Sequence, residues 1–303
     1  MAGSGGMTRR TGLRTVVAAA VAVPLLGTVR ASEAPRERPR RAFPAPRLEV
    51  MSFNLRFAGS KEPNSWAARR PVMRALLREA APHVIGTQEG LLPQVRDIEA
   101  DLGPHYDWIG TQRAEDDNES VAVFYDTRRL TPVEHAHFWL SDTPGVRGSN
   151  TWGAHDPRMV TWVRFRDRYA DGREFCLFNT HLDNGSQYAR VRSTSLIIDR
   201  LARFEPDLPV LVTGDFNAVA HRNPVYEALL GSGLVDTWDT ARRRGPEYAT
   251  FHGYKPLTPG GDRIDWILAR PDVTVHRTWV NTFSANGQYP SDHLPVQASV
   301  SLG

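Results

Sequence analysis

The chain has 303 residues, 41% of them hydrophobic, with 8 Trp, 8 Tyr, 12 Phe and a single Cys. That length and apolar content can bury a substantial core, which excludes a disordered chain, and one Cys excludes a disulfide framework or a thiolate-rich zinc site. Nine Arg and two Glu give residues 1–47 a net charge of +7, leaving 28 basic against 32 acidic side chains, a net −4, in a body that lacks the broad positive stripe of a strong phosphate-backbone binder.

Thr8-Arg9-Arg10-Thr11-Gly12-Leu13-Arg14 leads into an apolar run from Val16 to Leu26 and then Val29-Arg30-Ala31. A basic start, a short apolar stretch and a small-residue exit read as a secretory signal over 1–31, too short to span roughly 30 Å of hydrocarbon. The paired Arg9 and Arg10 ahead of Leu13 leave two export routes open, the general secretory one and the twin-arginine one, with Gly12 standing where the latter usually has an aromatic. Residues 32–47 are rich in Pro and Arg without apolar periodicity and read as a disordered, solvated tether. The expectation is a secreted protein whose residues 48–303, free of internal repeats, form one domain.

Within that body, strands and helices alternate. Leu48 to Phe53 suits a buried strand. Ala67 to Ala80 suits a helix with Met73, Leu76, Leu77 and Ala80 inward and Arg69, Arg70, Arg74 and Arg78 outward, so Pro71 must lie in its first turn or kink it. Val84 to Gln88 follows as a strand, Pro93 to Leu102 as a helix packing through Val95, Ile98 and Leu102, and Tyr106 to Thr111 and Ser120 to Tyr125 as strands. Arg129 to Leu140, Met159 to Arg166 and Glu174 to Thr180 read as sheet, the last two joined at the hairpin signal Asp171-Gly172. Cys176, inside Phe175-Cys176-Leu177-Phe178, reads as a buried small hydrophobe. Tyr188 to Phe204 is a helix with Val191, Thr194, Ile198 and Leu201 inward. Val210 to Thr213, Leu234 to Thr237, Arg263 to Ala269, Val273 to Val280 and Leu294 to Val300 complete the strands. So many strands, joined partly by helices and partly by hairpins, exceed what one open sheet usually holds; the pattern predicts a four-layer α/β sandwich of two mixed sheets with helices outside.

Residues able to do chemistry fall where the strands stop. Asn54 follows Val50-Met51-Ser52-Phe53, Glu89 follows Val84 to Gln88, His181 follows Phe178-Asn179-Thr180, and Asp215 and Asn217 follow Val210 to Gly214. Asp265 opens the run Trp266-Ile267-Leu268, and Asp292 and His293 precede the last strand. One such residue reads as a turn cap or a satisfied histidine; several together read as a site, because loops at strand ends are where rigid scaffolds place chemistry. Carboxylates and carboxamides without a thiolate are hard oxygen donors suited to Mg²⁺, Mn²⁺ or Ca²⁺ rather than zinc. Two histidines remain for acid–base work, and one held by an Asp has a fixed tautomer. A divalent metal beside such an imidazole is equipment for attack of water on a phosphate ester. The sequence holds no GxSxG elbow, no HExxH, no phosphate-cradling GxxxxGKS/T and no GxGxxG after a strand.

The segments MSFNLR (51–56), IGTQEG (85–90), NTHLDN (179–184), VTGDFNA (212–218), RIDWIL (263–268) and SDHLPV (291–296) resemble, in order, the motifs of the endonuclease/exonuclease/phosphatase superfamily. That superfamily includes deoxyribonuclease I, apurinic endonucleases, inositol polyphosphate 5-phosphatases, neutral sphingomyelinases and deadenylases. The chain looks most like its bacterial group of small secreted or cytosolic metal-dependent hydrolases, long insert from Ser141 to Pro157 included. The resemblance implies a deoxyribonuclease I-like αββα sandwich of the α+β kind, with Mg²⁺ or Mn²⁺ held by Glu89 as principal carboxylate, Asn54 beside it and Asp292 completing the site. Asp215 and Asn217 are implied to position or activate the water and hold the phosphate, and His181 to stabilise the pentacovalent transition state. His293 is implied to act as general base or to polarise the phosphate, with Asp265, or its rival Asp262, orienting it. Glu119 resembles the carboxylate that supports the histidine at the His181 position; Arg158 is a candidate bidentate phosphate clamp and Asp183 a further supporting residue. Their bland readings are a solvated acidic run for Glu119 and a surface ion pair for Arg158.

The leading expectation is a secreted divalent-metal-dependent phosphoric ester hydrolase, a phosphodiesterase or phosphatase. It would act as a monomer, with no protein partner implied, on nucleic acid, phospholipid or a small phosphorylated molecule. A nuclease and a sphingomyelinase-like phospholipase stay open. Exposed aromatics in the 139–157 loop, which holds Trp139 and Trp152, would favour a lipid or a stacked base; basic residues there, of which Arg147 and Arg158 are the candidates, would favour a polyphosphate. The rival from another class is a catalytically silent binding module, disfavoured because Glu89, Asp215 and His293 are all present.

Overall fold

An apolar run such as Leu48-Glu49-Val50-Met51-Ser52-Phe53 buries both faces of a strand only if something covers each side. In the computed structural model, which describes residues 46–115 and 119–303, both sides are covered. Leu48 and Val50 enter a core with Val163, Phe165, Phe175, Leu177, Leu211 and Ile267 of a second sheet. Met51 and Phe53 point the other way, onto Met73, Leu76, Leu77, Val95 and Ile98 of two helices. The expected secretory signal (1–31) and most of the tether (32–47) lie outside the described residues.

Among the described residues the elements are β1 (Leu48–Asn54), α1 (Trp66–Ala80), β2 (Val84–Leu91), α2 (Leu92–Leu102), β3 (Tyr106–Gln112), β4 (Glu119–Asp126), β5 (Leu130–Trp139), β6 (Met159–Asp167), β7 (Arg173–His181), α3 (Gln187–Leu201), β8 (Val210–Asp215), α4 (Pro224–Gly231), β9 (Val235–Asp236), α5 (Thr237–Thr240), β10 (Asp265–Ala269), β11 (Thr274–Val280) and β12 (Val296–Ser301). One six-stranded sheet has the order β11-β12-β1-β2-β4-β3 and the other β5-β6-β7-β8-β10-β9. On the far side of the second sheet, Cys176, Phe178, Val210, Val212, Trp266 and Leu268 pack on Ala189, Ile197 and Leu201 of α3 and on Val225 and Leu229 of α4. The result is the expected αββα sandwich, with Cys176 buried in it and its thiol pushed well up by that burial. The expected β6–β7 hairpin forms through the five-residue loop 168–172, with Asp171 and Gly172 both at positive φ, 52° and 75°.

Three local expectations are corrected. α1 starts at Trp66 because the Ser65 side chain accepts from the Ala68 N–H, so Pro71 falls in the second turn rather than the first. Arg69, expected outside, is fully buried and donates to the carbonyls of Leu55, Arg56, Phe57, Asn64 and Pro290. α3 turns Ala189, Ser193, Thr194, Ile197 and Leu201 inward and leaves Val191 exposed. Ser193 and Thr194 are small polar residues, and hydropathy does not mark them as an inner face.

Candidate active site

Strand register brings the polar ends together. Parallel pairing of β1 with β2 sets Asn54 opposite Gln88, parallel pairing of β7 with β8 sets His181 opposite Asp215, and antiparallel pairing of β8 with β10 sets Asp215 opposite Asp265. A cleft of about 400 Å³ opens there, lined among others by Glu89, Glu119, Arg158, His181, Asp215, Asn217, Asp292 and His293.

Beneath the cleft the two sheets are tied by a buried polar crossing. Gln88 Nε2 donates to Asn179 Oδ1 at 2.7 Å, Thr213 Oγ1 donates to the same oxygen at 3.1 Å, and Asn179 Nδ2 donates to the carbonyls of Thr87 (2.8 Å) and Ala122 (3.0 Å). Gly86 makes room for it, since a Cβ there would stand 2.1 Å from Thr213 Oγ1 and 2.6 Å from Asn179 Oδ1. Gln88 and Asn179 carry no motif of their own; in the sequence each shows only as a carboxamide interrupting an apolar run.

Glu89 has φ 62° and sits where the β2–β4 ladder shifts register between Thr87 and Gly90, a bulge that turns its side chain out of the sheet. Asn217, just past β8, has φ 46°, and its N–H donates to Asp215 Oδ1 at 2.9 Å. Left-handed backbone at non-glycine residues costs of order 1–3 kcal/mol and gathers at functional sites. Asn54 Nδ2 donates to Glu89 Oε1 at 2.8 Å and to Asp215 Oδ2 at 2.9 Å, while its Oδ1 accepts from the Arg56 N–H at 2.9 Å. Asn54 therefore lies where expected but shows the carboxylates its nitrogen, not the oxygen that would ligate a metal. One ligand atom each from Glu89, Asp215 and His293 lie within 4.8 Å of one another. Asp292 is on the same rim, 3.8 Å from Arg56. Carboxylate oxygens with an imidazole fit a hard divalent cation such as Mg²⁺ or Mn²⁺.

His293 Nδ1 meets Asp265 Oδ2 at 2.9 Å, and Asp265 is itself held through its N–H on Thr250 Oγ1 at 3.1 Å. Burial alone would pull the His293 pKa down; the carboxylates of Asp265 and Asp215 outweigh it and raise the pKa well above the usual imidazole range. Asp215 is raised above the usual carboxylate range by burial and then by repulsion from Asp265. His181 is held far below the imidazole range by burial, then by the charges of Arg158 and His293.

Asp262, the rival partner for His293, stands outside the cleft as an exposed residue paired with Arg222; the β8–β10 register brings Asp265 into line with Asp215 instead. Glu119 lines the cleft and pairs with Arg113 at 2.9 Å. What faces His181 Nδ1 is Arg158 Nη1 at 3.1 Å, so a cation stands where the carboxylate was expected. Arg158 is buried rather than on the surface, 3.6 Å from Asp183 and 3.8 Å from Asp156. Asp183 accepts the backbone N–H groups of His155 (2.8 Å), Gly185 (3.0 Å) and Ser186 (2.6 Å), which hold its carboxyl below the usual range although burial opposes them. Trp139 and Trp152 are both buried, so neither offers the insert an exposed aromatic platform. Arg147 reaches toward Gln112 and the Ala114 carbonyl. Among the described residues, the exposed aromatics of the cleft are Phe57 and Phe251, neither marked by any motif; the Phe251 ring lies 5.0 Å from the His293 imidazole.

A family model described as the Endonuclease/Exonuclease/phosphatase family matches residues 51–293. Among solved structures, a mannosyl-6-phosphatase from Bacteroides thetaiotaomicron is 34% identical with a TM-score of 0.77, covering 84% of this chain and 99% of its own. The human Nocturnin catalytic domain has the same fold at 19% identity, with a TM-score of 0.65 over 86% of this chain and 96% of its own. Among curated proteins, Protein angel of Drosophila melanogaster is 23% identical over 180 residues, 57% of this chain and 49% of that protein, so the chain spans about half the length of this relative.

Proposed function

The chain belongs to the endonuclease/exonuclease/phosphatase family, whose members are hydrolases acting on phosphoester bonds, and from that premise we propose that the cleft is a Mg²⁺- or Mn²⁺-dependent phosphoesterase centre acting on a small phosphorylated molecule. The carrying observation is that Glu89, Asp215 and His293, distant in sequence, bring ligand atoms within 4.8 Å of one another in a single cleft. Glu89, with Asp292 on the same rim, would hold the cation beside Asp215, and Asn54 steadies the Glu89 and Asp215 carboxylates. When bound, the cation would neutralise phosphate charge and make the phosphorus more electrophilic.

The remaining work falls to the chain's own groups. Asp215, held by Asn54 and Asn217, is placed to accept the proton of the attacking water. Asn217 holds the Asp215 carboxylate through its N–H and aims it. His293, charged through Asp265, faces the negative charge that grows on the phosphate, and His181, with Arg158 on the far side of its imidazole, faces it from the opposite sheet. The similarity to a mannosyl-6-phosphatase favours a sugar phosphate. We propose further that residues 1–31 export the enzyme, which fractionation of expressing cells checks.

The test is release of product from p-nitrophenyl phosphate, bis-p-nitrophenyl phosphate, mannose 6-phosphate, glycerol phosphate, DNA, RNA and sphingomyelin with Mg²⁺ or Mn²⁺ and with EDTA. Turnover that survives EDTA and is equal in wild type and His293→Ala would refute the proposal. Preference for DNA, RNA or sphingomyelin would keep the chemistry and replace the substrate class.

A further inference from the structure

Two hydrogen-bond donors flank the imidazole of His181, one at each nitrogen. Arg158 Nη1 lies 3.1 Å from Nδ1, and Asn217 Nδ2 lies 3.1 Å from Nε2. A neutral imidazole carries one proton and offers one acceptor, so the ring can accept from only one of them. Arginine cannot accept; with a proton on Nδ1 the two groups would meet donor to donor in a buried place. Asn217 Nδ2 has another acceptor, the Leu182 carbonyl at 3.0 Å, and a charged donor makes the stronger bond. A proton on Nε2 also has somewhere to point, because Asp215 Oδ2 lies 3.5 Å away.

We propose that Arg158 is a positioning residue: its guanidinium claims Nδ1 of His181 as acceptor and so places the single imidazole proton on Nε2, the nitrogen on the Asp215 side of the ring. Asp183, fixed by three backbone N–H groups, stands behind Arg158 and steadies it. The two imidazoles of the cleft are then set by opposite means. Asp265 draws a proton onto Nδ1 of His293; Arg158 keeps Nδ1 of His181 bare. His181 thereby meets a phosphate oxygen as a hydrogen-bond donor that needs no proton of its own removed or replaced during turnover. In this respect the inference deepens the phosphoesterase reading and rests on it, whereas the tautomer itself can be read without any substrate.

The experiment is a long-range ¹H–¹⁵N spectrum of the histidine side chains of the ¹⁵N-labelled, metal-free protein, with His181→Gln assigning one of the ten imidazoles. Wild type is expected to show Nε2 protonated and Nδ1 bare, Glu119→Gln to keep that pattern, and Arg158→Met to lose it for a mixture or the other tautomer. On p-nitrophenyl phosphate with Mg²⁺, Arg158→Met is expected to lower kcat roughly tenfold to a hundredfold with KM changed by no more than about twofold. A protonated Nδ1 in wild type overturns the proposal without any variant, which covers the case in which Arg158→Met does not fold. An Arg158→Met protein that keeps the wild-type tautomer and raises only KM also overturns it, leaving Arg158 as a phosphate grip. If no ester is turned over at all, the phosphoesterase reading fails while the spectra still decide the tautomer.

Discussion

The His293 imidazole is tied to Asp265 by a hydrogen bond at Nδ1, in a place where both groups are buried. Asp265→Asn keeps the shape but removes the charge that raises the imidazole pKa, and its amide nitrogen can no longer accept from Nδ1. We expect kcat to fall by roughly 10²–10⁴ in Asp265→Asn, and as far in His293→Ala. Because the pair acts as one unit, the double variant should be no worse than the weaker single one. Steady-state rates on p-nitrophenyl phosphate with Mg²⁺ check this, and losses that multiply would separate the two residues. Phe251 carries a different expectation. Its ring is half exposed at the cleft and backed by His293, an arrangement suited to the face of a substrate ring. A stack worth about 0.5–1.5 kcal/mol would put Phe251→Ala at roughly twofold to twelvefold higher KM for a hexose phosphate. Glycerol phosphate, which has no ring, should show no such change; an equal rise for both esters would remove Phe251 from specificity.

Arg69 shows what one helix does for two loops. From the buried face of α1 its guanidinium donates to Leu55, Arg56 and Phe57, directly after Asn54, and to Pro290, shortly before Asp292 and His293. Arg69→Met would leave buried carbonyls unpaired at a cost of about 3 kcal/mol, or about 6–12 °C in Tm for a domain of this size. Arg74→Met, half exposed and 4.0 Å from Asp101, should stay within about 0.5 kcal/mol. Differential scanning calorimetry compares them, and equal midpoints would deny Arg69 its clamping role. Arg69 also marks where the sequence is opaque. A 3.6-residue count scores its guanidinium as an outer-face residue and cannot see the carbonyls waiting for it. The same count misplaces the inner face of α3, where the buried set includes the small polar residues Ser193 and Thr194. The strand ends were legible for the opposite reason: strands covered on both faces give unbroken apolar runs, and Asn54, Glu89, His181 and Asp215 stand where those runs stop. That they share a cleft follows from register, which no local pattern encodes. α4 and α5 were passed over although Asn223-Pro224 and Asp236 cap them, because each is short and flanks a two-residue strand.

Across the whole molecule, stability should depend on pH through histidines buried neutral. Burial lowers His83 and His137 to about 4, with the charge of Arg129 adding to the effect at His83 and His135 at His137. A depressed pKa means that the unfolded chain binds more protons between about 4 and 6.5, so stability rises with pH across that window and is fully present above it. Asp215, raised in the metal-free protein, has the opposite sign between 3.8 and about 7, which is why the test must isolate one site. His137→Gln removes a titration remote from the cleft; it should gain on wild type as pH falls from 6.5 to 4, and a constant gap in urea midpoints would cancel the assignment. The cation supplies the second global lever. Glu89 and Asp215 are two carboxylates drawn together around one amide nitrogen, a repulsion that the folded state tolerates and a divalent cation would relieve. A ligand bound only by the folded state at a hundred times its Kd adds about 2.7 kcal/mol, so Mg²⁺ should raise Tm by about 5–10 °C. Glu89→Gln should abolish that increment together with turnover, yet melt no lower than wild type without metal, because it removes one of two like charges. Melts of both proteins with EDTA and with graded Mg²⁺ decide it: an increment that survives in Glu89→Gln would put the stabilising cation somewhere other than this cleft.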